Sequence, residues 1–374
     1  MGFYFHWPFC LSKCPYCDFN VHVRAEIPHE RFEAATLKAL QGYALHVPDR
    51  VVVSVFFGGG TPSLMRPESV ARILSEIRRL WPCANDWEVT LEANPSTVEQ
   101  EKFSAFAEAG VTRVSLGVQA LRDESLAFLG RKHTVKAAVS AIEILTRTVE
   151  RFSFDLIYAR PAQTLAEWDM ELGEALALAR GHLSLYQLTI ERTTPFYFAQ
   201  AQGQFTMPEE GLAADLYVLT QEKTATGGLP AYEVSNHAAE GHESRHNLIY
   251  WHYGDYIGIG PGAHGRITLE GQKYATRDHS APEIWLGKVE ETGGGAHPFE
   301  ALSAEAQFTE KLMMGLRLRE GVVVSEEDRL TYLDPERLKI VEGQGWLTRQ
   351  GDILRLSREG QLRLNALIPY ILKA

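Results

Sequence analysis

Gly2-Phe3-Tyr4-Phe5-His6-Trp7 runs without interruption into Pro8-Phe9-Cys10-Leu11-Ser12-Lys13-Cys14-Pro15-Tyr16-Cys17. The first six residues read as a strand rich in aromatic side chains and the rest as a loop. That loop holds three of the four cysteines in the chain. A strand that delivers reactive side chains at its carboxyl end is the working unit of parallel α/β folds.

Working outward, strand and helix alternate. His29 to Tyr43 has the spacing of an amphipathic helix, and Val51 to Phe57 is a buried-strand run that stops at Gly58-Gly59-Gly60-Thr61-Pro62. A helix from Pro67 to about Leu80, a strand Trp87–Glu92, a helix Thr97–Ala109 and a strand Arg113–Gly117 follow. Helical pieces from Asp123 to Thr148, a strand Phe152–Ile157, a helix Leu165–Ala179 and a strand His182–Thr189 complete the pattern. With the opening strand this makes six repeats, where a closed barrel needs eight. The expected fold is therefore α/β, an incomplete open (βα)6 barrel.

Beyond it, Glu191 to Phe205 reads as a loop, Glu209 to Thr226 as a helix, Ala231 to Val234 as a short strand and the Gly-rich Tyr253 to Gly265 as irregular. Gly293-Gly294-Gly295 is the linker candidate. The expected units are thus 1–292, the barrel with its irregular extension, and 296–374, a small α+β domain. The latter has helices at Ala304–Arg319 and Pro335–Gly343, a Trp346–Leu356 hairpin turning at Gln350-Gly351 and a final helix Glu359–Leu372. That order resembles a winged helix. Five Lys or Arg against two Asp or Glu from Trp346 to Ala374 suit packing or docking better than nucleic acid.

Composition narrows the function. A formal net charge of −11 and a pI near 5.7 argue against a protein that coats nucleic acid. Clustered cysteines do not make a disulfide framework and point to a reducing compartment, the cytoplasm. No cleavable signal is expected ahead of the first strand, and no apolar run is long enough to span a bilayer, so membrane contact is expected to be peripheral only.

Three thiolates on one short loop suit a 4Fe-4S cluster, with one iron left free of protein ligands. A zinc site completed by His6 or Cys83, or a redox pair of Cys14 and Cys17, remains open on residue type alone. Strand ends supply further polar groups: Gly58-Gly59-Gly60-Thr61, Glu92-Ala93-Asn94-Pro95, Ser115 to Gln119, and Asp155-Leu156-Ile157-Tyr158. Glycines let backbone approach a ligand, Glu92 and Gln119 offer acceptors, and Arg131 suits a carboxylate. Singly, each is more often a turn or surface residue.

The spacing Cys-x3-Cys-x2-Cys, with Tyr16 before the last cysteine, resembles the signature of the radical S-adenosylmethionine (SAM) superfamily. The longer strings His6-Trp7-Pro8-Phe9-Cys10 and Cys14-Pro15-Tyr16-Cys17-Asp18-Phe19-Asn20 are similar to the branch holding the oxygen-independent coproporphyrinogen III oxidases and the HemW-type heme chaperones. The resemblance implies a 4Fe-4S cluster on Cys10, Cys14 and Cys17, with Cys83 apart. It also implies SAM bound by Tyr4, Gly58, Gly59, Gly60, Thr61, Glu92, Gln119, Arg131, Asp155 and Ile157. In that family the reduced cluster passes one electron to the sulfonium, yielding methionine and a 5'-deoxyadenosyl radical.

Two departures from the oxidases favour the chaperones. Phe19 stands where an oxidase carries a further cysteine, and only nine residues precede Cys10. A third departure, Ala159-Arg160-Pro161 in place of Gly-Leu-Pro, bears on a loop beside the adenosine. His246-Asn247-Leu248-Ile249-Tyr250-Trp251 resembles a chaperone heme motif and implies heme contacts from His246, Asn247, Tyr250 and Trp251; read without the family, the string is ordinary packing. The expected partners are heme and heme-accepting apoproteins, including respiratory membrane proteins.

Overall fold

A computed structural model describes residues 1–96 and 100–373. Six strands lie side by side, parallel and in chain order: β1 (Gly2–Trp7), β2 (Val52–Gly59), β3 (Cys83–Ala93), β4 (Arg113–Gln119), β5 (Arg151–Tyr158) and β6 (His182–Gln187). Between them run α1 (His29–Ala44), α2 (Pro67–Leu80), α3 (Phe103–Glu108), α4 (Asp123–Phe128), α5 (Val135–Thr148) and α6 (Leu165–Leu178). Alternation sets what each strand face does. Phe3, Phe5 and Trp7 are buried in the core with Phe32 of α1, whereas Tyr4 and His6 belong to the opposite face. In α2, Val70, Ile73, Leu74 and Ile77 are buried at helical spacing, and Pro67 occupies the first turn. A Thr164–Glu167 capping box starts α6.

The sheet stays open and mixed. A short antiparallel strand, β7 (Asn236–Ala238), borders β6. On the other edge β8 (Tyr256–Ile259) runs parallel to β1, followed by antiparallel β9 (His264–Leu269), β10 (Gln272–Arg277) and β11 (Glu300–Ala301). A second, separate hydrophobic cluster includes Leu312, Val341, Leu354 and Ile371. It packs the helix Ala304–Gly315 and further helices against a three-stranded antiparallel sheet of Val322–Val323, Ile353–Leu356 and Leu347–Gln350, a winged-helix-like arrangement. Among the described residues no helix is long and apolar enough to cross a membrane.

Several expectations change. The Gly-rich stretch Tyr253–Gly265 contains β8 and the start of β9, because its glycines serve close packing. A Cβ on Gly258 would lie 2.1 Å from the His264 carbonyl oxygen, and one on Gly260 2.3 Å from that of His6. The strand expected at Ala231–Val234 forms instead at Asn236–Ala238, since the buried Glu233 carboxylate accepts from the Ser235 amide and Asn236 Nδ2 and holds a turn. Within Glu191–Phe205, Thr194 caps a helix, Pro195–Ala201. The Gly293–Gly295 segment is packed: Gly293 caps Pro282–Thr292 in the left-handed region, and a Cβ on Gly295 would strike Trp285. The last helix is split into Arg358–Gln361 and Leu364–Ile371. Of the helix expected over Thr97–Ala109, Phe103–Glu108 is helical, and residues 97–99 lie outside the described residues.

Candidate functional site

The carboxyl ends of the six strands surround a cavity of about 840 Å³. Cys10, Cys14 and Cys17 lie on its wall, as do Gly59, Gly60, Thr61, Glu92, Gln119, Arg131, Asp155 and Ile157. Cys83 opens β3 at the other end, and at ~3.3 Å per residue the nine steps to Glu92 carry it about 30 Å away.

Backbone contacts shape the cysteine loop. Gly60 N–H donates to Trp7 O (2.7 Å), Thr61 N–H to Phe9 O (2.9 Å) and Gly59 N–H to Glu92 Oε2 (3.0 Å). These amides fasten the end of β2 to the loop and to Glu92. A Cβ on Gly60 would meet Phe9 O at 2.6 Å and Cys10 Sγ at 3.0 Å, which explains glycine there. Asn20 secures the far side of the loop, its Nδ2 donating to Pro261 O and Ser280 O, both at 2.8 Å.

Tyr4 and Gly58 are not on the cavity wall. His6 Nε2 faces the Asn20 carbonyl oxygen at 2.9 Å, so it carries the proton, and the Tyr4 hydroxyl donates to the bare Nδ1 at 3.0 Å. A Cβ on Gly58 would clash with the Tyr4 and Phe56 rings. Both residues support the strand ends from behind.

Charge on the wall is distinctive. Burial, aided by the neighbouring Asp155 carboxylate, pushes Glu92 up to about 8, and burial pushes Asp155 up to about 6. Arg131 donates from Nη2 to Asn94 Oδ1 and Gly117 O, and Nη1 lies 3.5 Å from Cys14 Sγ. Its buried Nε has no hydrogen-bond partner among the described residues. Gln119 sits at φ 74°, a strained setting for a non-glycine residue and one that clusters at ligand sites. Burial also raises the Cys10 and Cys17 thiols, opposed at Cys10 by the Thr61 hydroxyl 3.4 Å from its sulfur.

These residues fit a cluster better than a single ion. No three His, Cys, Asp or Glu side chains among the described residues are gathered to hold one metal ion. In a cube each thiolate binds a different iron, so its ligands stand wider apart than those of tetrahedral zinc. The cavity beside the thiols supplies carboxylates, an amide and a guanidinium for a ligand bearing both ammonium and carboxylate.

The string His246–Trp251 lies elsewhere. It forms the helix Arg245–Trp251 at the amino ends of the strands. His246 is 1% exposed, with Nδ1 on Ser54 Oγ (2.8 Å) and Nε2 on Tyr250 OH (2.6 Å). The Asn247 amide caps onto Ser244, and Trp251 stacks under Arg317. As folded, His246 is buried with both ring nitrogens engaged, while Asn247, Tyr250 and Trp251 are half-buried beside it at the barrel floor. Conversely, His133 and Lys132 line the cavity and Lys13 stands at its lip. The Arg131-Lys132-His133 run, in the loop between α4 and α5, was the available signal.

Residues 4–172 match the Radical SAM superfamily, and residues 302–363 match the HemN C-terminal domain. The chain is 35% identical to heme chaperone HemW of Escherichia coli over all of its own length and 98% of the relative's. It is 34% identical to the mitochondrial radical S-adenosyl methionine domain-containing protein 1 of Danio rerio, over 99% of this chain and 86% of that one. The solved coproporphyrinogen III oxidase HemN of E. coli superposes with a TM-score of 0.81, covering 98% of this chain and 89% of that chain at 18% identity, a likeness of fold. Three thiols on the strand-end loop, the open six-repeat barrel and full-length kinship agree: the chain belongs to the radical SAM superfamily, in the HemN and HemW branch.

Proposed function

We propose that this chain is a heme chaperone of the HemW type, binding heme and handing it to apoproteins, with a 4Fe-4S cluster on Cys10, Cys14 and Cys17 and SAM in the adjoining cavity. The observation that carries the reading is full-length kinship with relatives named heme chaperone, at 33–35% identity. Phe19, 57% exposed on the cavity wall where an oxidase has a further cysteine, supports it. The His246 string is assigned to scaffolding. The division into units 1–292 and 296–374 belongs to the same proposal, the second unit serving in docking.

When bound, the cluster supplies a single electron to the sulfonium of SAM. The chain's own part is placement. Glu92 and Asp155 accept from the ligand's donors, Arg131 pairs its carboxylate, and the strand ends exclude water. The alternative, oxidative decarboxylation of coproporphyrinogen III, draws on the shared fold and polar barrel.

Anaerobic reconstitution followed by parallel assays of heme binding and coproporphyrinogen III turnover decides between them. Heme binding and transfer without turnover is the expected result. SAM-dependent formation of protoporphyrinogen IX would overturn the chaperone reading.

A further inference from the structure

We propose that Arg160 and Glu171 are positioning residues for Gln119, the strand-end residue that lines the SAM cavity. This role rests on the SAM reading above. Arg160 falls within a departure noted in the sequence, Ala159-Arg160-Pro161 in place of Gly-Leu-Pro. It is 6% exposed in the turn between β5 and α6, and Glu171 of α6 is 1% exposed. Arg160 Nη1 donates to Glu171 Oε1 at 3.2 Å and Nη2 donates to Oε2, a two-pronged pair.

The pair reaches Gln119 through one backbone amide. Glu171 Oε1 also accepts from the Leu121 N–H at 2.7 Å, two residues beyond Gln119. Gln119 sits at φ 74°, where the pairing register of β4 shifts, so its placement depends on how the chain is held on either side. Upstream, Arg131 Nη2 donates to the Gly117 carbonyl oxygen and His133 Nε2 to that of Val118. Downstream, Glu171 holds the Leu121 amide, and Arg122 Nη1 donates to the Leu121 carbonyl oxygen at 2.6 Å.

A buried ion pair is a poor source of stability, because desolvation offsets the attraction. It fixes geometry when its remaining lone pairs are used, and here one of them holds a peptide. Each partner requires the other: Glu171 without Arg160 is an uncompensated buried carboxylate, and Arg160 without Glu171 an uncompensated buried guanidinium. Ala159 at φ 54° and Ala162 at φ 59° stand in the left-handed region that glycine adopts freely, so the turn presenting Arg160 is held against local preference. The Arg160 amide, donating to Gln163 Oε1 at 3.2 Å, and the pair with Glu171 supply that hold.

The test uses the full chain, reconstituted anaerobically, with SAM affinity read by calorimetry and iron content as the control. Two double variants remove the charge pair without stranding either partner. Arg160→Leu/Glu171→Gln keeps an acceptor for the Leu121 amide and should bind SAM within about twofold of wild type. Arg160→Leu/Glu171→Met, of similar shape but with no such acceptor, should bind roughly fivefold more weakly at unchanged iron content. Arg160→Leu/Glu171→Leu replaces the methionine variant if that one does not fold. In a Gln119→Ala background the same exchange at position 171 should cost nothing, since its effect runs through the Gln119 side chain. Equal affinity in the two double variants, or an undiminished loss in the Gln119→Ala background, would overturn the positioning role while leaving the SAM reading intact. Failure of the wild-type chain to bind SAM would overturn both.

Discussion

Both ends of the barrel are polar, yet they behave differently. At the amino ends of the strands, Arg151 Nη1 donates to Glu88 Oε2 (3.1 Å) and Nη2 to Glu243 O (2.8 Å), while Arg113 donates to Ser153 Oγ (2.8 Å). The His246 amide closes onto Glu88 Oε1. At the carboxyl ends, Glu92 and Asp155 are held above the usual carboxylate range and Arg131 keeps an unpartnered Nε, all around open volume. Polarity inside a barrel therefore does not mark a site. Open volume bordered by carboxylates that burial holds above their usual range does.

The sharpest test of that contrast is the thiol set. Cys10→Ala, Cys14→Ala and Cys17→Ala should each abolish the cluster in iron and sulfide analysis, and Cys83→Ala should retain it. A cluster that survives loss of Cys14 but not of Cys83 would remove the loop from the assignment. Next in size is the floor. Glu88→Ala strands Arg151 in a buried setting, and breaking a buried pair costs about 3–5 kcal/mol. Denaturant unfolding should show that loss, and a change within 0.5 kcal/mol, the ~0.5 kcal/mol scale of surface substitutions, would mean the floor is solvated and not a plug.

Arg131→Ala comes third. A hydrogen bond to a charged group contributes about 1.5–3 kcal/mol, so calorimetry should show SAM binding weakened by about tenfold or more while iron content is unchanged. Equal affinity in the variant would place the ligand's carboxylate elsewhere.

Much of this was legible in the sequence. Strand-helix alternation and helical spacing are local, and Val70, Ile73, Leu74 and Ile77 alone announce α2 and its buried face. The strand-end residues were legible because a parallel sheet gathers them at one rim. What was hidden depends on tertiary approach. Gly258 looks like a loop former, and its strand role appears only when β9 and β1 close on it. His246 carries the same signal whether it plugs a barrel or binds a ligand, and only its partners Ser54 and Tyr250 separate the two.

The smallest effect tests the electrostatics of the open end directly. Glu92 is held up to about 8 by burial and by Asp155, against an ordinary value of 4.5. The ligand-free protein therefore keeps a proton there at neutral pH, and the stability linked to it is complete below about pH 4.5 and lost as pH rises through about 8. Binding has the opposite sign. A carboxylate that accepts from the ligand's ammonium or ribose must be ionised, so each binding event below pH 8 expels a proton. SAM affinity should strengthen by about tenfold between pH 7 and pH 9, the span over which a group of pKa near 8 empties. Calorimetry in buffers of different ionisation enthalpy should count close to one proton released at pH 7. Glu92→Gln, with no proton to lose, should bind more weakly, show a flatter profile and stabilise the ligand-free chain relative to wild type at pH 9. A variant that keeps the wild-type pH slope would assign that proton to another group, with Asp155 the next to test.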